Sequence, residues 1–362
     1  MNSMDSYPII EIRAIRKAHS VIREQTYRTP IHKCPEVSQE VQDAVFDTHD
    51  ASVPKLELYF KCENLQKAGS FKFRGSYHFL SQLTEKELRA GIISYSTGNH
   101  AIALTIAANH ASQLRGFLIP VQMLMTWNAS PAKIDTIQRL GGKVLLHGPT
   151  LVECIELAIK IQLETGATLV PQGHPLIALG QGTAMLEFHE QMQELGYGRL
   201  DAVIVPSATG ALLAGTAVVS HALDPHITVF GSEPVMGGAN LATARLQGKR
   251  VTVLNGTTIA DGLRSPTAQS NWEYVKNPTL VKDVLQVTEL EIRRTLTSFA
   301  EQMKTVVEPS SAVPLAALLF NTDLHHTLKT MYEGEPLKIG VVLTGGNIGL
   351  MDMCDLAEKN NK

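Results

Sequence analysis

Lys72 stands where an amine could do chemistry. It follows the Gly69-Ser70 break and the aromatic Phe71 inside the run Glu63-Asn-Leu-Gln-Lys-Ala-Gly-Ser-Phe-Lys-Phe-Arg-Gly75. Residues 56–62, Leu-Glu-Leu-Tyr-Phe-Lys-Cys, have the alternation and aromatic content of a strand. Residues 71–83 read as a helix opened by Ser70 as its N-cap. A lysine in the first turn of a helix sits where the macrodipole disfavours a cation. The neutral amine is thereby favoured, and a Schiff-base lysine needs that form. A surface lysine on an amphipathic helix would carry the same local pattern, so the other unusual segments must decide.

Three more small-residue segments follow strands: Ser96-Thr-Gly-Asn-His100, Ser207-Ala-Thr-Gly-Ala-Leu212 and Thr344-Gly-Gly-Asn347. In open α/β sheets ligands bind at the carboxyl ends of strands. The first two of these segments open helices, so free amides and the helix dipole make each an anion site. Two anion sites and one lysine suit a ligand system with a phosphate and a carboxylate. Competing motifs are absent from the sequence: no GxxxxGK[ST], no GxGxxG after the first strand, no Gly-x-Ser-x-Gly and no HExxH. The histidines are dispersed, and a lone one such as His189 reads as a helix-surface residue rather than a ligand.

Alternating strands and helices must position these segments. Apolar residues at helical spacing predict a helix over 9–24, broken at Thr29-Pro30. Residues 37–54 are polar and read as a surface excursion. Strands are predicted at 92–95, 116–119, 143–146, 167–170, 201–205, 227–230, 283–287 and 337–343. Helices are predicted at 99–109, 130–140 (Ser130 as N-cap, Pro131 at N1), 151–164, 176–195, 211–221, 239–247, 288–303 and 314–320. This βαβ series implies a mostly parallel sheet covered on both faces.

The chain has 362 residues, formal net charge −3 and 44% hydrophobic content, as expected for a two-domain globular protein. It has no basic excess for nucleic acid and no polybasic or long apolar run for a membrane. The start, Met-Asn-Ser-Met-Asp-Ser-Tyr-Pro, lacks the features of a signal peptide. The four cysteines, Cys34, Cys62, Cys154 and Cys354, are scattered. They read as reduced thiols of a cytoplasmic protein.

Ser70-Phe-Lys-Phe-Arg-Gly75, Ser96-Thr-Gly-Asn-His100, Gly180-Gln-Gly-Thr183, Thr258-Ile-Ala-Asp-Gly262, Glu308-Pro-Ser-Ser311 and Thr344-Gly-Gly-Asn347 resemble, in order and spacing, the serine/threonine dehydratase and serine racemase family. The resemblance covers residues 9–350. It implies a fold-type II (tryptophan synthase β-like) α/β enzyme that uses pyridoxal 5′-phosphate. Two three-layer α/β/α domains with mostly parallel sheets are expected: residues 1–91 plus 169–362 hold the cofactor, and 92–168 form a small mobile substrate domain. By the same resemblance Lys72 forms the Schiff base and then acts as base at Cα. Phe71 packs against the pyridine ring, Asn99 bonds its 3′-oxygen, and Ala208, Thr209, Gly210 and Ala211 cradle the phosphate. Ser96, Thr97, Asn99 and His100 hold the substrate carboxylate, and Gln172 lies beside the substrate. Thr344 faces the pyridine nitrogen, where a hydroxyl favours elimination and racemisation over transamination.

Three departures from the family pattern carry expectations of their own. Gly210 alone is glycine in a phosphate loop that is commonly a glycine run. Ala239 stands where the family's cation site after Gly231-Ser-Glu233 has an aspartate, and a hard cation wants several oxygens, so no metal site is expected. Thr97 replaces the serine that serves racemases as second-face acid/base, so it either retains that role or orients the carboxylate only. The expected activity is β-elimination from an amino acid such as serine or threonine, giving a 2-oxo acid and ammonia. The alternatives are racemisation and, behind it, a non-catalytic metabolite-binding homologue. The segment Gln172-Gly-His174 contains no arginine for a second carboxylate, which favours a neutral substrate side chain. The expected assembly is a homodimer. Only 15 residues follow Asn347, so no appended regulatory domain is expected.

Overall fold

The computed structural model describes residues 8–46, 55–96, 98–127, 129 and 131–358. Within them, strands β1 (Ile31–His32), β2 (Leu56–Lys61), β3 (Ile92–Tyr95), β4 (Val121–Met125), β5 (Lys143–Leu146), β6 (Thr168–Leu169), β7 (Ala202–Pro206), β8 (Thr228–Pro234), β9 (Asp283–Val287) and β10 (Leu337–Val342) build two sheets. The six-stranded sheet has the order β1-β2-β10-β7-β8-β9, and the four-stranded sheet β5-β4-β3-β6. Every pairing is parallel except β1 with β2. The expected α/β class with mostly parallel sheet is therefore observed.

Both sheets are covered on two faces, as parallel sheets require. Along β7, Val203 and Val205 enter one apolar core while Ala202 and Ile204 enter the other, the period-two alternation of a strand. In the smaller sheet Ile93 and Leu124 pack against Cys154 and Ala158 of helix Leu151–Thr165. On its other face Ile92 and Met123 join the core that holds Ala103 and Ala107 of helix Asn99–Arg115.

Helix Pro175–Glu194 runs through the centre and is buried along most of its length. Its Gly180-Gln-Gly182 step is a packing device. A Cβ on Gly180 would lie 2.6 Å from Arg74 O, and one on Gly182 would lie 3.1 Å from Gly215 Cα. The two glycines thus let the helices that start at Lys72 and at Ala211 press onto opposite flanks, leaving Gln181 between them. A buried ionic network pins the same region. Arg74 pairs with Glu63 (2.7 Å) and Glu187 (2.7 Å), and Lys61 with Glu187 (3.1 Å), all four buried.

Several boundaries differ from the sequence expectations. Residues 37–46 are not a surface excursion: helix Pro35–Val45 buries Val37, Val41 and Val45, an i,i+4 stripe started by a proline at its first turn. The rest of that stretch, 47–54, lies outside the described residues. The strand expected at 116–119 is instead β4, because helix Asn99–Arg115 continues until Gly116 stops it at φ 72°. Helix Pro309–Phe320 starts five residues before Pro314, which sits inside it. Helix Thr322–Met331 was not expected. Ser70 is not the cap of helix Lys72–Ser81: it is extended, bridges to Gly345 and leaves the cap position to Phe71.

Candidate active site

The lysine's backbone is fixed from two sides. Ser70 bridges Gly345, the Phe71 N–H donates to Thr344 O (3.0 Å), and the Gly346 N–H donates to Gly69 O (3.0 Å). The turn after β10 therefore clamps the segment that enters helix Lys72–Ser81. The Lys72 side chain is 7% exposed and Nζ stands 5.0 Å from the Phe71 ring centroid. No carboxylate pairs with it among the described residues. Burial pulls its pKa from 10.5 down to about 8, against an opposing pull from Glu308. The neutral amine is thus accessible near neutrality, by desolvation foremost.

Asn99 opens helix Asn99–Arg115 and reaches across to the larger sheet. Its Nδ2 donates to Glu308 Oε1 at 2.6 Å, and its Oδ1 accepts from Asn347 Nδ2 at 2.8 Å. Burial, reinforced by Asp261, raises the Glu308 carboxyl to about 8. A Cβ on Gly345 would sit 2.7 Å from Glu308 Oε1, so glycine there makes room for the acid. Thr344 Oγ1 lies 3.0 Å from Ser311 Oγ, which also bonds the Gly345 N–H and O at 2.7 Å each.

The segment after β7 forms the first anion cradle. Gly210 has φ 80° and immediately precedes helix Ala211–Leu223, whose first amides have no partner within the helix. A Cβ on Gly210 would meet Asn271 Cβ and Thr267 Cγ2, both at 3.3 Å. Thr209 O is held by the Ala268 N–H (3.0 Å) and Asn271 Nδ2 (2.9 Å). Ser207 Oγ and both amide atoms of Gln181 are buried and unpartnered, and Gln181 lines the same crevice. Free helix amides with orphaned polar atoms fit a phosphorylated ligand.

The second cradle starts at Ser96, whose Oγ accepts from the Gly98 N–H at 3.3 Å. Thr97 lies outside the described residues. His100 Nε2 sits 3.1 Å from Ser94 Oγ, and burial lowers its pKa to about 3. The ring is neutral, so anion binding here falls to the helix amides. Gln172 Nε2 donates to Tyr95 O at 3.3 Å. Lys72, Ser96, Asn99, His100 and Gln172 line one cleft of about 340 Å³. Lys72 and Asn99 also line the narrower crevice that holds Phe71, Ala208, Thr209, Gly210, Ala211 and Thr344. The structure thus gathers every described residue of the expected site around one amine.

Five charged or amide side chains of these walls had no expected role: Gln181, Glu308, Lys133, Asp261 and Arg264. Glu308, Asp261 and Gln181 stand inside quoted motifs, and an acid or amide among small residues was the available signal. Lys133 and Arg264 carried none. Glu233 is engaged elsewhere: its carboxylate accepts from the Leu241 N–H (2.8 Å), the Ala242 N–H (3.0 Å) and Gln286 Nε2 (3.2 Å). Among the described residues no three His, Cys, Asp or Glu side chains gather as a metal set, and no helix is long and apolar enough to cross a membrane.

A family model described as "Pyridoxal-phosphate dependent enzyme" matches residues 22–345. The chain is 34% identical to a serine racemase of Arabidopsis thaliana over 351 residues, covering 95% of each. It is 33% identical to a beta-hydroxyaspartate dehydratase of Paracoccus denitrificans, covering 92% of this chain and 95% of that one. The solved structure of maize serine racemase superposes with TM-score 0.81 at 31% identity, covering 97% of this chain and 98% of that chain. The chain belongs to the pyridoxal-phosphate dependent enzymes of fold type II, and its cofactor is pyridoxal 5′-phosphate.

Proposed function

We propose that the protein catalyses β-elimination from a β-hydroxy amino acid, releasing a 2-oxo acid and ammonia. One observation carries the reading: a buried lysine amine, with no carboxylate partner among the described residues, lies between two helix N-termini, one suited to a phosphate and one to a carboxylate. Pyridoxal 5′-phosphate, when bound, supplies an electron sink for charge developing at Cα. In this reading the amides after Thr209 take the phosphate and Thr344 Oγ1 faces the ring nitrogen. The amides from Ser96 to His100 hold the substrate carboxylate, which orients the Cα–H bond toward Lys72. Its amine, poised near pH 8, takes that proton as general base. The Cβ–O bond breaks, and the hydroxyl leaves as water with the proton that Lys72 removed, which restores the free amine. The resulting enamine tautomerises and is hydrolysed, so the water lost is returned and no oxidant is needed. Glu308 holds a proton on the crevice wall, and Asn99 fixes its position.

Racemisation shares the first proton transfer and differs in return of the proton to the opposite face. The serine racemases among the relatives favour it, with the Thr97 hydroxyl as donor. We further propose that residues 92–168 move as a small unit against the rest and that two copies of the chain associate. The test is an absorbance spectrum of the purified protein, followed by keto-acid and D-isomer assays over L- and D-serine, threonine and 3-hydroxyaspartate. A cofactor band and keto acid, both altered in Lys72→Ala, are expected. Cα-proton exchange and D-isomer without keto acid would assign the racemase instead. No band and no turnover would overturn the enzyme reading.

A further inference from the structure

Neither end of the Gln181 carboxamide is answered by the protein. The residue is 1% exposed, and neither Oε1 nor Nε2 has a hydrogen-bond partner among the described residues. A buried amide left in that state is disfavoured, and an apolar side chain would fill the space without the penalty. The other buried polar side chains of helix Pro175–Glu194 are all partnered. Thr183 Oγ1 donates to Gly180 O (2.6 Å), and Glu187 Oε1 accepts from Arg74 Nη1 (2.8 Å). Gln191 accepts from Lys61 Nζ (2.7 Å) and donates to Thr29 O (3.0 Å). The lack is therefore particular to position 181.

Its placement shows what kind of group could answer it. Gln181 sits between Gly180 and Gly182, where the helices that start at Lys72 and at Ala211 close on the two flanks. A Cβ on Gly75 would lie 3.1 Å from Gln181 Cγ, so the stem of the side chain lies against the Lys72 helix. Its amide lines the crevice formed with Ala208, Thr209, Gly210 and Ala211. Lys72 is the sole cation among the residues lining that crevice, and Glu308 the sole acid. With Lys72 committed to the chemistry, an anion in the cradle is held by neutral donors alone. Each such donor then carries a large share of the binding.

We propose that Gln181 is a cofactor-binding residue whose Nε2 donates a hydrogen bond to the phosphate of pyridoxal 5′-phosphate, beside the amides after Thr209. A phosphate brings bound water with it, which supplies the donor that Oε1 needs. The carboxamide adds a directed bond without neutralising the anion, so the phosphate keeps its charge for the dipole of helix Ala211–Leu223. Because the same side chain lies against the helix that carries Lys72, it ties the phosphate to the root of that helix as well. The inference goes beyond the reaction proposed above: the phosphate must be anchored for elimination and for racemisation alike.

The experiment starts from the full-length holoenzyme, removes the cofactor by dialysis and measures Kd on rebinding. Pyridoxal 5′-phosphate is compared with pyridoxal, which lacks the phosphate, in wild type, Gln181→Met and Gln181→Asn. Methionine keeps the length and loses both polar ends. Asparagine keeps the amide but withdraws it by one methylene, and it decides the matter if the methionine variant fails to fold. In both variants Kd for the phosphate ester should rise roughly 10–100-fold, with Kd for pyridoxal within about twofold of wild type. The phosphorus NMR line of the bound cofactor should also move in Gln181→Asn holoenzyme. An unchanged Kd for the phosphate ester would overturn the proposal. So would equal weakening of both ligands, since Gln181 would then shape the crevice without touching the phosphate.

Discussion

Asn99 Nδ2 and Glu308 Oε1 lie 2.6 Å apart and tie the start of a helix beside the four-stranded sheet to the cap of a helix on the six-stranded one. The amide has a second partner, Asn347 Nδ2 at 2.8 Å on its oxygen. Asn347 is exposed and water can replace the lost amide there, but Asn99→Ala strands the buried Glu308 carboxyl, so it should cost about 1–3 kcal/mol of stability. Urea unfolding of the cofactor-free protein measures it. A loss within a few tenths of a kcal/mol would mean water replaces the amide without penalty.

Glu308 and Lys72 make stability depend on pH in opposite senses. The folded chain holds the Glu308 proton up to about pH 8, whereas the ordinary value is 4.5. Its stability contribution is full below pH 4.5 and is lost as pH rises to about 8. Lys72 is lowered from 10.5 to about 8, so the unfolded chain binds more protons between those values and stability recovers across that window. The cofactor-free protein should show a stability minimum near pH 8. Glu308→Gln should remove the falling limb and Lys72→Met the rising one. Curves that stay parallel to wild type would dissociate these groups from the effect.

Gly210 is where the phosphate cradle tolerates least. Its φ of 80° disfavours any Cβ, and that Cβ would meet two carbons at 3.3 Å. Gly210→Ala should cost roughly 1–2 kcal/mol in strain, and Gly210→Asp adds a charge facing the phosphate. The cofactor band should weaken in the first variant and vanish in the second. Retention of the full band in Gly210→Asp would place the phosphate elsewhere.

Glu233 provides an independent check on the cation question. Its oxygens take the Leu241 and Ala242 amides, so it caps helix Leu241–Gln247. Glu233→Ala should cost about 1–2 kcal/mol as a lost cap, and a chelator should leave wild-type stability and activity unchanged. A melting temperature that rises with magnesium or calcium in wild type, and not in the variant, would contradict the capping role.

Much of this was legible in the sequence for identifiable reasons. Strands such as residues 201–205 and 337–343 are largely buried on both faces, and their apolar runs, Ala202 to Val205 and Ile339 to Leu343 (with Gly340 inside), declared them. The small-residue segments at strand ends marked the two cradles before any coordinate was known. Helix Pro35–Val45 was missed because only three valines in eleven residues carry its buried face, too thin a stripe against a polar background. Ser70 looked like a cap by residue type, yet the long-range bridge to Gly345 claims its backbone. Arg264 and Lys133 reach the cleft through tertiary folding alone, which local spacing does not encode.

The ionic network around Arg74 bears on where this molecule can move. Arg74 lies two positions beyond Lys72, in the same first turn, and Lys61, Glu63 and Glu187 complete a buried set of two positive and two negative charges. Removing one member leaves an uncompensated charge, a loss of about 3–5 kcal/mol. The helix root beneath the amine is therefore barred from peeling away or rolling by itself. Lys72 can swing only on its own methylene arm. Amide exchange in this turn should accordingly await global unfolding, and any opening that admits substrate must be carried by the opposite wall of the cleft.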